Sequence, residues 1–147
     1  MFHHLLLPTD GSAGADHALR AGLRLAHEAG AVVTLLHVLP EFHVITSNPM
    51  MLEDTRNEFL RASEQQGCAL LDAAAAQARE FHILTCHRSL ARSDQPHIAI
   101  LEAARERGCD LIVMGSRGRG GLRGLLGSVT HKVLVQGWTP ILVYHNE

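Results

Sequence analysis

Glycines and basic side chains are concentrated in the last quarter of the chain. Seven of the 13 glycines lie between residues 111 and 146, and this segment contains no Asp or Glu. Its four cationic side chains give it a formal charge of +4, and they are Arg117, Arg119, Arg123 and Lys132. Because glycine lets backbone N–H groups approach an oxyanion closely, this composition predicts an anion site, with phosphate as the expected anion.

A predicted helix begins at Ser128, directly after the glycine-rich loop. The free N–H groups and partial positive charge of a helix start favour an anion. Ser128 can cap the helix or donate its hydroxyl to a phosphate oxygen, while Arg117 and Arg119 can neutralise charge at the entrance. Neither the GxxxxGK[ST] of P-loops nor the GxGxxG of dinucleotide folds is present. Two other interpretations stay open: a loop that only packs a helix against a sheet, and a solvated face for the arginines.

Two further groups follow predicted strands elsewhere in the chain. A single residue separates Asp10 from the end of the first predicted strand, and a carboxylate there can accept hydrogen bonds from a ribose hydroxyl or an adenine amino group. Val38 lies near the end of a second apolar run, where its backbone can bind the edge of a base. Asp10 is equally suited to cap the following helix, and Val38 to be a core residue. A nucleoside polyphosphate is a ligand that uses all three segments together.

The elements that must position these groups alternate between strands and helices. Apolar runs predict the strands, while helical periodicity and capping residues predict the helices. Residues 41–54, which contain Asn48-Pro49, are predicted to form a loop, and residues 90–95 a connection with Asp94 as the cap of the next helix. The predicted strands are residues 2–8, 31–39, 82–89, 111–114 and 141–144. The predicted helices are a first one that follows Ser12 and has Gly30 as its C-cap, and then residues 55–81, 96–108 and 128–136.

This alternation predicts an α/β fold in a single domain spanning residues 1–147. An open, parallel five-stranded sheet of the Rossmann-like type is expected, with helices on both faces. Such sheets bind ligands at the carboxyl ends of their strands, near the point where the strand order reverses. If the first and fourth strands flank that point, Asp10, Val38 and the glycine-rich loop converge.

Charge, hydropathy and cysteine usage exclude several classes of protein. The net charge of −2 gives no general basic field, so no nucleic-acid partner is predicted. The longest apolar stretch, residues 31–39, is far shorter than the ~20 residues of a membrane span, so no membrane partner is predicted. The three cysteines form no CxxC pair, which favours a cytoplasmic location. The histidines show no metal-ligand spacing and no grouping with carboxylates, so no side-chain metal site is predicted.

Five short segments spread along the chain form a specific combination. They are Pro8-Thr9-Asp10-Gly11-Ser12, Leu36-His37-Val38, the run DLIVMGSRG from Asp110 to Gly118, Gly127-Ser128-Val129, and Thr139-Pro140-Ile141-Leu142-Val143. Together they resemble the universal stress protein family, and the resemblance covers the whole chain. It implies a five-stranded α/β sheet, a homodimer and, in one branch of the family, ATP held by a Gly-x2-Gly-x9-Gly-Ser/Thr loop.

The resemblance also implies roles for individual residues, by match of position. The adenosine half of the ligand is expected to contact Pro8, Thr9, Asp10 and Val38. The phosphates are expected to contact Gly115, Ser116, Arg117, Gly118, Arg119, Gly120, Gly121, Gly127, Ser128 and Val129. The homodimer is expected to form through the last strand, Ile141, Leu142, Val143 and Tyr144.

One glycine spacing departs from the ATP-binding pattern of the family. Eight residues, Arg119 to Leu126, separate Gly118 from Gly127 where the pattern has nine. Slack at the loop glycines can absorb the missing residue. Alternatively, the helix start is displaced by up to about 3.8 Å, which exceeds the tolerance of a hydrogen bond.

The sequence therefore predicts a cytoplasmic stress-response protein that binds ATP, or ADP or AMP, with Mg²⁺ arriving on the nucleotide. A nucleotide-dependent binding or signalling module is favoured over an enzyme, because the glycine loop has no His or carboxylate to orient a water at the γ-phosphate. The first alternative is a dimeric interaction protein of the same fold that binds no nucleotide. The second is an adenylyl-transferring or ATP-cleaving enzyme, which the absence of an HxGH-type pair disfavours.

Overall fold

Short apolar runs and amphipathic segments alternate along the whole chain, and each forms a strand or a helix. The computed structural model describes residues 1–43, 48–117 and 126–145. Its elements are β1 (His4–Pro8), α1 (Ala13–Ala29), β2 (Val32–Leu39), α2 (Pro49–Glu80), β3 (Cys86–Arg92), α3 (Pro96–Glu106), β4 (Leu111–Gly115), α4 (Ser128–Gln136) and β5 (Ile141–Tyr144). The predicted α/β alternation is confirmed.

The strands form one parallel sheet in the order β3-β2-β1-β4-β5. The chain builds outward from β1 to β3 on one side and then returns to place β4 on the other side of β1. The strand order therefore reverses between β1 and β4, which is the condition under which the sequence expects Asp10, Val38 and the glycine-rich loop to converge. The β1–β4 ladder ends at the pair Leu6 and Ile112, so the two strands separate towards their carboxyl ends.

Alternate side chains of the strands build a core on each face of the sheet. Leu5 and Leu7 of β1 point to the face covered by α1 and α2, where they pack with Leu19, Leu23 and Leu71. On the opposite face, Leu6, Leu36 and Ile112 pack with Ile100 of α3 and Val133 of α4. Strands buried on both faces explain why these runs are apolar almost without interruption. Among the described residues, no helix is both long and apolar enough to cross a membrane.

The start of α2 corrects the sequence prediction. Residues 41–54 were expected to form a loop, but α2 begins at Pro49. Asn48 is its N-cap, since its side-chain oxygen accepts hydrogen bonds from the N–H groups of Met50 and Met51 at 3.1 and 3.3 Å. Proline suits the first turn of a helix because it lacks the N–H that would be unpaired there. The first turns lack apolar periodicity because they are exposed, as Met50 is at 78%.

The position of β3 is the second correction. The predicted strand 82–89 is β3 at Cys86–Arg92, so part of the expected connection at 90–95 belongs to the sheet. The predicted strand instead begins where α2 ends: Phe81 is the C-cap of α2, and His82 adopts a left-handed conformation with φ of 60°. Asp94 does not cap α3, because Gln95 is the N-cap residue and makes no side-chain capping hydrogen bond. Asp94 instead contacts Glu41 and His43.

Candidate functional site

The carboxyl end of β1 is held rigidly by backbone and side-chain hydrogen bonds. Thr9 is buried, and its N–H donates to the carbonyl of Leu36 in β2 at 2.8 Å. The carbonyl of Thr9 accepts a hydrogen bond from Nδ1 of His37 at 2.7 Å. Because a carbonyl can only accept, Nδ1 of His37 carries the proton. These bonds fix the point from which Asp10 leaves the sheet.

Asp10 shapes the turn between β1 and α1. Its Oδ1 accepts a hydrogen bond from the N–H of Ser12 at 2.9 Å. The residue that caps α1 is Ser12, whose hydroxyl oxygen accepts from the N–H of Ala15 at 3.1 Å. The alternative interpretation of Asp10 as the helix N-cap is therefore wrong. Asp10 is half-buried and carries a second carboxylate oxygen besides the one used in the turn.

The first turn of α1 packs against the end of β4 with no room for a side chain. A Cβ atom on Gly14 would lie 2.6 Å from the carbonyl oxygen of Arg117. A Cβ atom on Gly115 would lie 2.9 Å from the carbonyl oxygen of Gly14. Two glycines therefore bring the β1–α1 turn and the start of the glycine-rich loop together, across the point where β1 and β4 separate.

Hydrogen bonds join the two ends of the glycine-rich loop. The N–H of Gly127 donates to the carbonyl of Ser116 at 2.6 Å. The hydroxyl of Thr130 donates to the carbonyl of Gly115 at 2.8 Å, and both Ser116 and Thr130 are buried. The N–H of Ser116 in turn donates to the carbonyl of Tyr144 in β5 at 2.9 Å. The start of α4 is thereby fixed beside the end of β4.

The N-terminus of α4 has the properties of an anion site. Its N-cap is Gly127, which makes no side-chain capping hydrogen bond, and the first turn contains no acidic residue. The N–H of His131 is bonded to the carbonyl of Gly127 at 2.9 Å. The N–H groups of Ser128, Val129 and Thr130 precede that bond, and an α-helix offers them no carbonyl of its own. Ser128 is exposed and Val129 is half-buried.

The backbone of Val38 extends beyond the last pairing of β1 with β2. That ladder ends at the pair Pro8 and Leu36, and the carbonyl of Leu36 points towards β1, since it accepts from Thr9. Peptide groups alternate in direction along a strand, so those of Val38 also point to the β1 side, past its end. The Val38 side chain packs against the core between the sheet and α3, as its core interpretation predicts.

The structure brings most of the predicted site residues together at the carboxyl ends of β1, β2 and β4. Pro8, Thr9 and Asp10 end β1, Val38 lies near the end of β2, Gly115, Ser116 and Arg117 follow one another at the end of β4, and Gly127, Ser128 and Val129 open α4. Four predicted phosphate-contacting residues lie outside the described residues, and they are Gly118, Arg119, Gly120 and Gly121.

Three residues near these strand ends were not predicted from the sequence. His37 and Thr130 act by donating hydrogen bonds to backbone carbonyls of Thr9 and Gly115. Such bonds join distant parts of the chain and leave no spacing pattern in the sequence. Gly14 did carry a signal, because glycine in the first turn of a helix is unfavourable unless another segment approaches closely.

Comparison with protein families decides the assignment. The model of the universal stress protein family matches residues 1–145. The chain belongs to this family. One relative, the universal stress protein YxiE of Bacillus subtilis, is 34% identical over 97% of this chain and 99% of its own length.

Solved structures of universal stress proteins share the fold. Protein MJ0577 of Methanocaldococcus jannaschii superimposes with a TM-score of 0.85 at 27% identity, covering 100% of this chain and 98% of that chain. Three more distant structures have TM-scores of 0.74, 0.64 and 0.68 and identities of 22%, 19% and 16%. They are a universal stress protein in complex with cAMP, the Archaeoglobus fulgidus protein in complex with dAMP, and an Arabidopsis thaliana family protein with AMP bound. Each covers at least 97% of this chain and 92% of its own.

Proposed function

We propose that this universal stress protein binds an adenine nucleotide, ATP in the first place, at the carboxyl ends of β1, β2 and β4. The nucleotide makes it a binding or signalling module of the stress response. The observation that carries the proposal is the position of the α4 N-terminus. It lacks a side-chain cap and is fixed beside the end of β4. The first turn of α1, which follows Asp10, packs against the residues at the end of β4.

The adenosine half of the ligand fits the ends of β1 and β2. The peptide groups of Val38 point past the end of β1 and can pair with the edge of the base, while Pro8 and Thr9 form the adjacent wall. Asp10 uses one oxygen to hold Ser12, and its second oxygen can accept from a ribose hydroxyl. His37 is a positioning residue, because it holds the carbonyl of Thr9 directly before Asp10.

The phosphates fit between the end of β4 and the start of α4. The N–H groups of Ser128 and Val129 offer two donors, and the hydroxyl of Ser128 a third. Two glycines supply the space for this arrangement, since a Cβ atom on Gly14 or Gly115 would collide with the facing backbone. We assign Ser116, Arg117, Gly118, Arg119, Gly120, Gly121 and Gly127 to the same phosphate-binding segment.

The short spacer is compatible with this assignment. A displaced helix start was the alternative that spoke against phosphate binding. The bonds from Gly127 to Ser116 and from Thr130 to Gly115 fix the start of α4 relative to β4. In this chain, with eight residues between Gly118 and Gly127, the start of α4 therefore lies beside the end of β4.

Adenine is the base that the comparisons support. The three nucleotide complexes of this fold contain cAMP, dAMP and AMP, which share the adenine base and differ in sugar and phosphate. ATP adds phosphates for which the glycine-rich segment and its +4 charge are suited. Mg²⁺ would arrive bound to the phosphates and offset part of their charge, so we expect binding to depend on Mg²⁺ for ATP more than for AMP.

Calorimetric titration of the chain with ATP, ADP and AMP, each with millimolar Mg²⁺, tests the proposal. We expect one nucleotide per chain. Asp10→Asn keeps an acceptor for the N–H of Ser12 but removes the charge, so we expect affinity to fall at least about tenfold, equivalent to ~1.4 kcal/mol. Asp72→Asn is the matched control, since Asp72 is exposed on α2 and contacts Arg88 of β3. No heat with Mg-ATP, together with no adenine nucleotide released from denatured protein, would refute the proposal.

We further propose that two copies associate along β5. This strand forms an edge of the described sheet, and Leu142 and Tyr144 are exposed at 43% and 40%. Leu134, Val135 and Trp138 add exposed apolar surface at the end of α4 and directly after it. The same surface supports the alternative of a dimer that binds no nucleotide. Insertion of one residue after Leu126 distinguishes the two: gain of ATP binding by a chain that otherwise binds none favours that alternative.

A further inference from the structure

A second group of side chains with ligand character lies beside the carboxyl ends of β2 and β3, and it contains none of the residues that we assign to the nucleotide. Glu41 and His43 belong to the connection that leaves β2, and Asp94 to the connection that leaves β3. These connections start side by side because Leu39 pairs with Arg92 and the N–H of Ser93 donates to the carbonyl of Leu39 at 2.8 Å. The sequence showed no grouping of histidine with carboxylates, because 50 residues of chain separate His43 from Asp94.

Packing holds the Glu41–His43 segment in place. The ring of Phe42 lies 5.4 Å from that of Phe59 in α2, between centroids. The guanidinium of Arg92 lies over the same Phe59 ring at 5.8 Å and donates to the carbonyl of Pro40 at 2.7 Å. The segment is therefore anchored at its middle residue, Phe42, by an aromatic contact and directly before it, at Pro40, by a hydrogen bond.

The anchored segment directs polar groups of Glu41 and His43 to Asp94. Oδ1 of Asp94 accepts a hydrogen bond from the N–H of Glu41 at 3.2 Å, and Oδ2 of Asp94 contacts Nε2 of His43. One side-chain ligand atom from each of the three residues lies within 4.8 Å of the other two. Ligands at ~2.0–2.2 Å from a tetrahedral metal ion lie about 3.4 Å apart, so small side-chain rotations bring all three onto one ion.

We propose that Glu41, His43 and Asp94 bind a divalent transition-metal ion such as Zn²⁺, with water completing the coordination. The imidazole favours Zn²⁺ over Mg²⁺ and Ca²⁺, which prefer oxygen ligands alone. The two carboxylates balance the charge of the ion, and all three residues are exposed, so the ion has free access. A bound ion joins the connections after β2 and β3. None of the three proposed ligands is a residue that we assign to the nucleotide, so the metal can be tested in the absence of nucleotide.

Zinc affinity of the full chain, measured by competition with a chromogenic chelator in the absence of nucleotide, tests the site. We expect His43→Gln and Asp94→Asn each to lower the affinity of one Zn²⁺ per chain at least about tenfold, since each removes one of three protein ligands. His3→Gln is the matched control, because Nδ1 of His3 lies 3.4 Å from Asp110 in another exposed His–Asp pair. We expect that variant to bind as the wild type does.

A second measurement separates loss of ligation from loss of folding. Zn²⁺ should raise the melting temperature of the wild type and of His3→Gln but not that of His43→Gln, while all three melt alike without metal. Unchanged Zn²⁺ affinity in both His43→Gln and Asp94→Asn would overturn the proposal and leave a simple ion pair. An equal loss in His3→Gln would also overturn it, because binding would then reflect surface histidines in general.

Discussion

At the scale of single residues, the proposed site depends on atoms that are missing as much as on atoms that are present. Gly14 and Gly115 bring two backbone segments into contact, and each would collide with a carbonyl oxygen if it carried a Cβ atom. Asp10 and His37 then use hydrogen bonds to fix the chain at the end of β1. The site is thus built mainly from backbone, with few side chains that act on the ligand directly.

Gly14→Ala tests the close approach of α1 to the loop. We expect it to lower the free energy of unfolding by about 2 kcal/mol, the usual cost of overpacking, and to weaken ATP binding. Gly30→Ala is the control at the other end of α1, where φ is +64° and nothing lies within 4 Å of the added Cβ. It should cost about 1 kcal/mol through backbone strain without changing affinity. Urea unfolding and calorimetry measure the two effects, and equal affinities in both variants would contradict this reasoning.

His4, at the amino end of β1, gives a pH dependence with a defined sign. Burial lowers the pKa of His4 from 6.5, and the nearby His87 lowers it further. The unfolded chain therefore binds more protons just below pH 6.5, so the contribution to stability is complete above that pH and is lost as the pH falls towards the native pKa. We expect His4→Gln to lose less stability than the wild type between about pH 7.5 and 5.5 in urea unfolding. Equal losses would show that His4 does not contribute.

Residue types at strand ends were the part of the site that could be predicted. Asp10 and the loop glycines follow apolar runs and stand out by composition. His37 and Thr130 could not be predicted, because each bonds a carbonyl that lies in another element. The group of Glu41, His43 and Asp94 was missed for the same reason, since only the pairing of β2 with β3 brings it together.

At the scale of elements, the proposed phosphate binding depends on the position of α4. Its first turn is fixed by the hydroxyl of Thr130, which donates to the carbonyl of Gly115, and by the N–H of Gly127. Val133 of α4 is buried and packs with Ile100 of α3 and Ile112 of β4 in the core on that face of the sheet. The helix is therefore anchored at its start by hydrogen bonds and further along by apolar contact.

Thr130→Val tests this anchor, because valine has a similar shape and lacks the hydroxyl. We expect a loss of about 1–2 kcal/mol in stability, since the carbonyl of half-buried Gly115 loses its donor. ATP affinity should fall as well, because the N–H groups of the first turn are held less firmly. Thr130→Ser keeps the hydroxyl and should retain most of the affinity. Calorimetry and urea unfolding of both variants measure these effects, and wild-type affinity in Thr130→Val would show that the bond does not position the helix.

Element types were predicted better than element boundaries. Apolar runs and helical periodicity predicted, in the correct order, the five strands and four helices that the described residues form, because burial on two faces leaves a strong apolar signal in the strands. The start of α2 was missed since its first turns face solvent, where periodicity disappears and only Asn48 and Pro49 mark the start. The shift of β3 arose at an edge strand whose residues are mostly half-buried or exposed, so its limits leave a weak pattern.

At the scale of the whole molecule, the two edges of the sheet differ. One edge is β5, which exposes Leu142 and Tyr144, and exposed apolar side chains of α4 lie nearby in sequence. The opposite edge, β3, carries Arg88 in an ion pair with Asp72 and Arg92 in contact with α2. Charged side chains protect an edge strand from pairing, so β5 is the edge at which we expect a second copy to bind.

Leu142→Lys tests the dimer at this edge. A charge placed in the interface should convert a dimer of about twice the 16.0 kDa chain mass into a monomer. Leu84→Lys is the control, because Leu84 is fully exposed near the start of β3, at the other side of the sheet. Sedimentation velocity distinguishes the species. A wild-type monomer, or dissociation caused by Leu84→Lys, would contradict an interface along β5.

Chemical-shift mapping measures where on the chain the nucleotide binds. Titration of ¹⁵N-labelled protein with Mg-ATP should shift the backbone amides of Asp10, Val38, Ser116, Ser128 and Val129. Amides of α2 that lie away from this edge, such as that of Ala74, should stay unchanged. Absence of shifts at millimolar Mg-ATP, or shifts that cluster away from the carboxyl ends of β1 and β4, would show that the nucleotide does not bind at the proposed site.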